Sequence, residues 1–229
     1  MRSRIPIIQD LILKDTLDHS AGYGAPSMST GRYIALEGAE GTGKSTHAAR
    51  LAAHLGAVLT RETGGTDIGA RIRSILHDTS LTHLSHRAET LLIAADRAQH
   101  IDEIVAPALA AGRHVVSDRS VYSTLAYQGY GRLLPIDEVY EINKWAMHSC
   151  WPDLVVLIDT PIEVLERRMR GRQLDRFERE DDAFHARVRE GFRKMAVEDP
   201  LHWVVIDGAA GMEDVGANIR RCVAERLQL

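Results

Sequence analysis

The chain is poor in cysteine, lysine and aromatic residues, and it has no long apolar run. Cys150 and Cys222 are its only cysteines and form no Cys-x-x-Cys pair, so neither a disulfide framework nor a thiolate zinc site organises it. A reducing, cytoplasmic setting is expected. No stretch approaches the roughly 18 consecutive apolar residues that cross a bilayer, so no membrane partner is expected. The formal charge of −4 lacks the cationic excess that generic nucleic-acid binding draws on, so no nucleic-acid partner is expected either. Gly 18 and Pro 7 in 229 residues are ordinary shares, which excludes collagen-like and wholly disordered chains. Of 28 basic residues only Lys14, Lys44, Lys144 and Lys194 are lysines. Codon bias explains the imbalance, yet Lys44 falls in the most informative motif of the chain.

What is present is the balance of a globular protein, 45% hydrophobic and 26% charged. Residues 1–27 read differently from the rest. Ile5-Pro6-Ile7-Ile8 is broken by Gln9 and Asp10, a poor secretory signal, and Ala21 to Ser27 reads as a flexible linker. The expected domain spans 28–229, preceded by a dispensable extension. From Arg32 onward short apolar runs alternate with helical patterns. The strands expected are Tyr33–Leu36, Ala57–Thr60, His114–Ser117, Leu154–Ile158 and Trp203–Ile206. Their continuous apolarity fits parallel strands buried on both faces. The helices expected are Ser45–Leu55, Asp67–Leu76, His86–Ala111 (bent or split at Pro107), Ile136–Ser149, Ile162–Met169, Ala183–Val197 and Met212–Leu227. This is a single α/β domain, a three-layer sandwich with a five-stranded parallel sheet between helices.

Gly38-Ala39-Glu40-Gly41-Thr42-Gly43-Lys44-Ser45, followed by Thr46, fits G-x-x-x-x-G-K-[ST] between the first strand and the first helix. Glycines let successive N–H groups turn inward, the helix N-terminus adds positive potential, and Lys44 reaches the outer phosphates. Ser45 offers its hydroxyl to Mg²⁺. The motif in this context predicts a P-loop NTPase fold and a nucleoside triphosphate site. It does not choose among NTPases, switches and kinases.

Strand ends in open α/β sheets converge on the ligand crevice, which brings Thr60 to Thr66 and Asp118-Arg119 to the phosphate loop. Arg61, Arg73, Arg97 and Arg119 are expected to ring a second anionic ligand, since guanidinium forks suit phosphate oxygens. Each taken alone is equally well a solvated or ion-paired arginine, except Arg119, because an Asp-Arg pair closing a buried strand reads as functional. The stretch from Glu166 to Asp182 carries six arginines beside six acids. Its default reading is a solvated charged helix; its position also suits a mobile helical lid, about 166–182.

Together these motifs resemble bacterial thymidylate kinases over about 200 residues. The family's acidic phosphate loop is matched by Glu37-Gly38 and Glu40 to Ser45, and its Arg-Glu-Pro-Gly-Gly-Thr motif by Arg61 to Thr66, with Thr63 in place of proline. Its Ala-x-Arg-x-Gln motif is Ala95 to Gln99. Its Asp-Arg-x-x-x-Ser-x-x-Ala-Tyr-Gln motif runs from Asp118 to Gln128, and its lid motif Leu-Asp-Arg-x-Glu from Leu174 to Glu178. The resemblance implies phosphoryl transfer from ATP to thymidine monophosphate in a homodimeric enzyme that uses Mg²⁺. It implies that Gly38 to Thr46 hold ATP, and that Ser45 and Asp118 surround the metal. Arg119 and Arg73 would grip the acceptor phosphate, with Ser123 from the same motif beside them. Glu40 would approach the sugar, and Arg97, Thr124 and Gln128 the base. Tyr127 would pack below the deoxyribose, and Ile93 stands where the family places an aromatic ring on thymine. With Gly41 small, the transition-state arginine comes from the lid, either Arg170 or Arg172, beside the catalytic Lys44 and Arg119.

The acceptor phosphate is already anionic near neutral pH, its second pKa being about 6, so no general base is required. Two rivals remain: a kinase of deoxynucleosides or of another nucleoside monophosphate, with Glu62 or Glu37 as base for a 5′-hydroxyl in the nucleoside case, and a nucleotide-binding switch. Leu91, Leu92, Ala94, Ala95 and Ala98 give the third helix more apolar surface than one core face needs, the basis for expecting the homodimer.

Overall fold

The computed structural model describes residues 31–171 and 174–229. The extension at 1–27 therefore lies outside the described residues, as do Arg172 and Gln173. Five parallel strands form one sheet: β1 Tyr33–Glu37, β2 Val58–Arg61, β3 Val115–Asp118, β4 Leu154–Asp159 and β5 Trp203–Asp207, in the order β2-β3-β1-β4-β5. Alternate side chains point to opposite faces. Ile34, Leu36, Val116, Val156 and Ile158 pack under helices α1 Lys44–Leu55 and α9 Met212–Leu227. Tyr33, Val115, Val155 and Leu157 pack on the other face, with α8 Asp182–Glu198.

Each strand runs one residue beyond its expected end, adding Glu37, Arg61, Asp118, Asp159 and Asp207. Charged residues are disfavoured in strands, so the apolar pattern stops early while the ladder continues: Leu36 pairs with Asp118, and Asp118 with Arg61. The sheet thus delivers its charge along one edge.

The helices between are α2 Asp67–His77, α3 His86–His100, α4 Ala106–Ala110, α5 Val121–Thr124, α6 Ile136–Met147 and α7 Ile162–Met169. Side-chain caps open four of the described helices, among them α2, where Thr66 accepts from Gly69 N at 2.9 Å, and α8, where Asp181 accepts from Phe184 N at 2.7 Å. The long helix expected over 86–111 is divided, as Pro107 requires. A π-helical turn at Ile101–Val105 separates α3 from α4, where Pro107 sits in the first turn. The helical stretch after β3 was missing from the sequence reading. It widens into a π-helix at Leu125–Gly131, and its Ser, Thr, Tyr and Gly content gives little helical signal. The charged stretch 166–182 is not one helix. It comprises the end of α7, then a tight turn in which Asp175 Oδ1 accepts from Phe177 N and Glu178 N at 2.9 Å each, then the start of α8. Among the described residues no helix is long and apolar enough to cross a membrane.

Candidate active site

The phosphate loop joins β1 to α1. Gly41 and Gly43 take φ of +78° and +90°, a region that costs L side chains energy and glycine little. Thr42 Oγ1 and Lys44 Nζ both donate to Ala39 O, at 3.0 and 2.7 Å, which folds the ammonium over the loop. Burial and the nearby Arg119 lower the Lys44 pKa. Ser45 Oγ donates to Asp118 Oδ2 at 2.5 Å, while buried Asp118 Oδ1 has no partner among the described residues. Ser45 and Thr46 are exposed at the start of α1.

Beside the loop lies a cleft of about 550 Å³. Arg119, the residue after β3, holds one wall with φ +75°. Its Nη1 donates to Gly38 O (3.2 Å) and Ser123 Oγ (2.9 Å); its Nη2 donates to Tyr127 Oη (3.2 Å) and pairs with Glu40. Burial alone would lower its pKa, but Glu40, Glu37 and Asp118 outweigh that and keep the guanidinium charged. Burial raises the Glu40 pKa, and Arg119, Lys44 and Arg73 more than reverse it. Beneath them Glu37 is fully buried, its carboxylate taken up by Ser120 N and Oγ (2.8 Å each) and by Ser123 N and Oγ (3.2 and 2.6 Å). Burial raises its pKa.

Arg73 reaches the cleft from α2 and donates to Thr63 O at 3.1 Å and Thr63 Oγ1 at 3.4 Å; the second bond uses an atom proline lacks. Arg97 is only 1% exposed. It donates to Glu62 Oε2 at 2.8 Å, to Asn143 Oδ1 and to Ser120 O at 3.2 Å, yet still lines the cleft. Glu62 Oε1 meets His100 Nδ1 at 2.9 Å, and His100 Nε2 meets Thr60 Oγ1 at 2.6 Å. Arg97 and His100 hold the Glu62 carboxyl below its usual range although burial raises it. Ser123, Thr124, Tyr127 and Gln128 all line the cleft from the helix after β3, and Thr124 Oγ1 is buried without a partner among the described residues. Ile93 lines it from α3.

Arg73, Arg97 and Arg119 thus converge with the other residues expected at the cleft, and Arg61 does not. Arg61 is exposed, donates to Gly64 O at 3.5 Å and lies outside the cleft lining. It ends an edge strand, so only one neighbour turns it inward. Arg170 is exposed at the end of α7, makes no hydrogen bond or ion pair with the described residues and does not reach the cleft. Arg172 lies outside the described residues. The sequence reading missed Glu89 and Phe177. Glu89 stands four residues before Ile93 and eight before Arg97, one face of a helix, so that spacing was a usable signal. Phe177 is the variable residue of the Leu174–Glu178 motif and carried none.

Comparison with known proteins places this arrangement. The family model described as thymidylate kinase matches residues 36–219. The chain belongs to the thymidylate kinase family. The thymidylate kinase of Chromobacterium violaceum is 45% identical over 195 residues, covering 82% of this chain and 92% of that protein. Those of Halothermothrix orenii and Leifsonia xyli are 42% and 43% identical, covering 82% and 85% of this chain and 94% and 95% of theirs. The five-stranded parallel sheet between helices is the fold expected for a thymidylate kinase with this phosphate loop.

Proposed function

We propose that the chain transfers the γ-phosphoryl group of ATP to thymidine monophosphate, giving thymidine diphosphate and ADP. The observation that carries this reading is the position of Arg119, whose one guanidinium touches Gly38 of the phosphate loop and Tyr127 of the cleft. A donor on the loop and an acceptor in the cleft would then share one cation at their junction.

The phosphate-loop amides and Lys44 hold the donor, with Gly38, Ala39, Glu40, Gly41, Thr42, Gly43, Ser45 and Thr46 around it. Arg119 and Arg73 clamp the acceptor phosphate, steadied by Ser123. Glu40, kept ionised by Arg119, faces the sugar; Tyr127 lies beneath it, and Arg97, Thr124 and Gln128 read the base. Catalysis is positioning and charge neutralisation. Arg170 or Arg172 joins the transferring group from the α7–α8 connection, acting as a lid.

Mg²⁺ fits the oxygen set of Ser45 and Asp118. The free Asp118 Oδ1 supports it, and Mg²⁺ commonly takes one or two protein ligands besides phosphates. When bound it neutralises charge on the transferred phosphate. A nucleoside kinase would need a base, and both candidates are occupied: Glu62 by Arg97 and His100, Glu37 by Ser120 and Ser123.

A cytoplasmic setting is proposed, in which free thiols such as Cys150 and Cys222 persist. A second copy is proposed to cover α3, where Leu91 is 55% exposed and Ala95 is also exposed; a monomer mass at all concentrations in light scattering overturns the dimer. The function is tested by assaying a panel of nucleosides and nucleoside monophosphates with ATP and Mg²⁺. Thymidine monophosphate should give the highest kcat/KM. Transfer to thymidine instead, or ATP binding with no transfer, refutes the reading.

A further inference from the structure

The turn between α7 and α8 places an aromatic ring in the cleft. Phe177 shares the cleft wall with Ile93, Arg97, Thr124, Tyr127 and Gln128. It meets Tyr127 edge-on at 6.1 Å between ring centroids and His77 edge-on at 5.7 Å. The other two rings of the wall have polar atoms engaged: Tyr127 Oη accepts from Arg119, and His77 Nδ1 lies 2.9 Å from Asp175 Oδ2. Phe177 is the one wholly apolar ring among the lining residues. On the α3 side the wall offers aliphatic Ile93, which grips a flat conjugated base less firmly than a ring does.

That ring is held from behind. Arg176 lies over it, 4.7 Å from guanidinium carbon to centroid, and Arg132 lies 6.0 Å away. Arg176 Nη2 donates to Glu89 Oε2 at 2.5 Å, and its Nε donates to Leu76 O at 2.8 Å. Arg132 binds the same carboxylate at 3.2 and 3.3 Å and pairs with Glu180 at 2.5 Å. Glu89 is wholly buried and also accepts from Gln128 Nε2 at 2.7 Å. An ionised carboxylate only accepts, so Gln128 must give its amide nitrogen to Glu89 and leave its carbonyl oxygen for the cleft. Three cationic or amide donors around one buried carboxylate keep it ionised, since burial raises the Glu89 pKa and Gln128 and Arg132 more than reverse it.

We propose that Phe177 is a specificity-determining residue for the base of the acceptor nucleotide, and that the Arg176–Glu89 ion pair is what positions it. Base recognition is thereby shared between the α3 wall and a ring carried on the α7–α8 connection. This rests on the reading that the cleft takes the acceptor.

The test compares Phe177→Leu, Phe177→Tyr, Arg176→Gln and the Phe177→Leu/Arg176→Gln double variant of the full chain in steady-state kinetics. Phe177→Leu should raise the KM for thymidine monophosphate about tenfold, and Phe177→Tyr should retain the wild-type value. The KM for ATP should stay within about twofold in both. Arg176→Gln should raise the acceptor KM similarly, and the double variant should add little to either single one. An unchanged acceptor KM in Phe177→Leu, or equal rises in both KM values, overturns the base role. A double variant whose effects multiply overturns positioning through Arg176; Arg176→Lys, which keeps the charge and loses the fork, serves if the glutamine variant does not fold. A wild-type chain that phosphorylates a different monophosphate refutes the acceptor assigned above, and the same comparison with that acceptor still decides the role of Phe177.

Discussion

Ser45 Oγ and Asp118 Oδ2 lie 2.5 Å apart, tying the first turn of α1 to the last residue of β3. The bond closes the gap between phosphate loop and neighbouring strand with two hard oxygen atoms, and the second carboxylate oxygen, Asp118 Oδ1, is buried without a partner among the described residues. Asp118→Asn keeps the volume and removes the charge. The half-saturating Mg²⁺ concentration should rise about 10- to 100-fold with the melting temperature nearly unchanged. A Mg²⁺ titration of the steady-state rate checks this, and an unaltered titration places the metal elsewhere.

Arg119 makes four contacts that a lysine could not reproduce together, because an ammonium lacks the planar fork. Arg119→Lys should raise the KM for the acceptor monophosphate about 10- to 100-fold, the scale of lost hydrogen bonds to charged groups. The KM for ATP should move much less. Equal losses for both substrates would make Arg119 a structural strut of the loop.

Arg170 is exposed and makes no hydrogen bond or ion pair with the described residues, so its removal should leave the fold intact. Arg170→Ala or Arg172→Ala should lower kcat by about 10³-fold or more, without a change in melting temperature. The other substitution should have a small effect. If both variants turn over normally, charge neutralisation comes from Lys44 and Arg119 alone.

Asp159, at the end of β4, accepts from Arg189 at 2.8 Å and Arg193 at 2.7 Å. Burial raises its pKa, and the two guanidinium groups more than reverse it, holding the carboxyl below its ordinary 3.8. A depressed folded pKa means the unfolded chain binds the extra proton. The contribution is therefore complete above about pH 4 and lost as pH falls through the folded value. Asp159→Asn should melt about 2–4 °C lower at neutral pH, with the gap closing as the solution is acidified below that range. A gap that persists in acid assigns the loss to packing.

Much of this was legible in the chain itself. The apolar runs around Ile34, Leu59, Val116, Val156 and Val205 located all five strands, and the glycines at 38, 41 and 43 with Lys44 located the phosphate loop. Strand ends were read short because Glu37, Arg61, Asp118, Asp159 and Asp207 break the apolar pattern while the ladder continues. Arg97 was placed at the cleft, but sequence could not show that its guanidinium is shared among Glu62, Asn143 and Ser120, since those partners come from three separate segments. The helix after β3 escaped notice because its cleft-facing Ser123, Thr124, Tyr127 and Gln128 are the polar residues that weaken an apolar period. Phe177 was invisible for another reason: a ring on a short turn has no periodicity to betray which way it faces.

A β-carbon at position 41 would come within 3.1 Å of Met169 Cγ and 3.3 Å of its sulfur, on a backbone whose φ is +78°. Met169 would have to give by a few tenths of an ångström, while the left-handed backbone strains any side chain placed there. An arginine grown on the loop itself therefore starts with a backbone cost, and a variant library seeking one gains by varying residue 169 together with position 41.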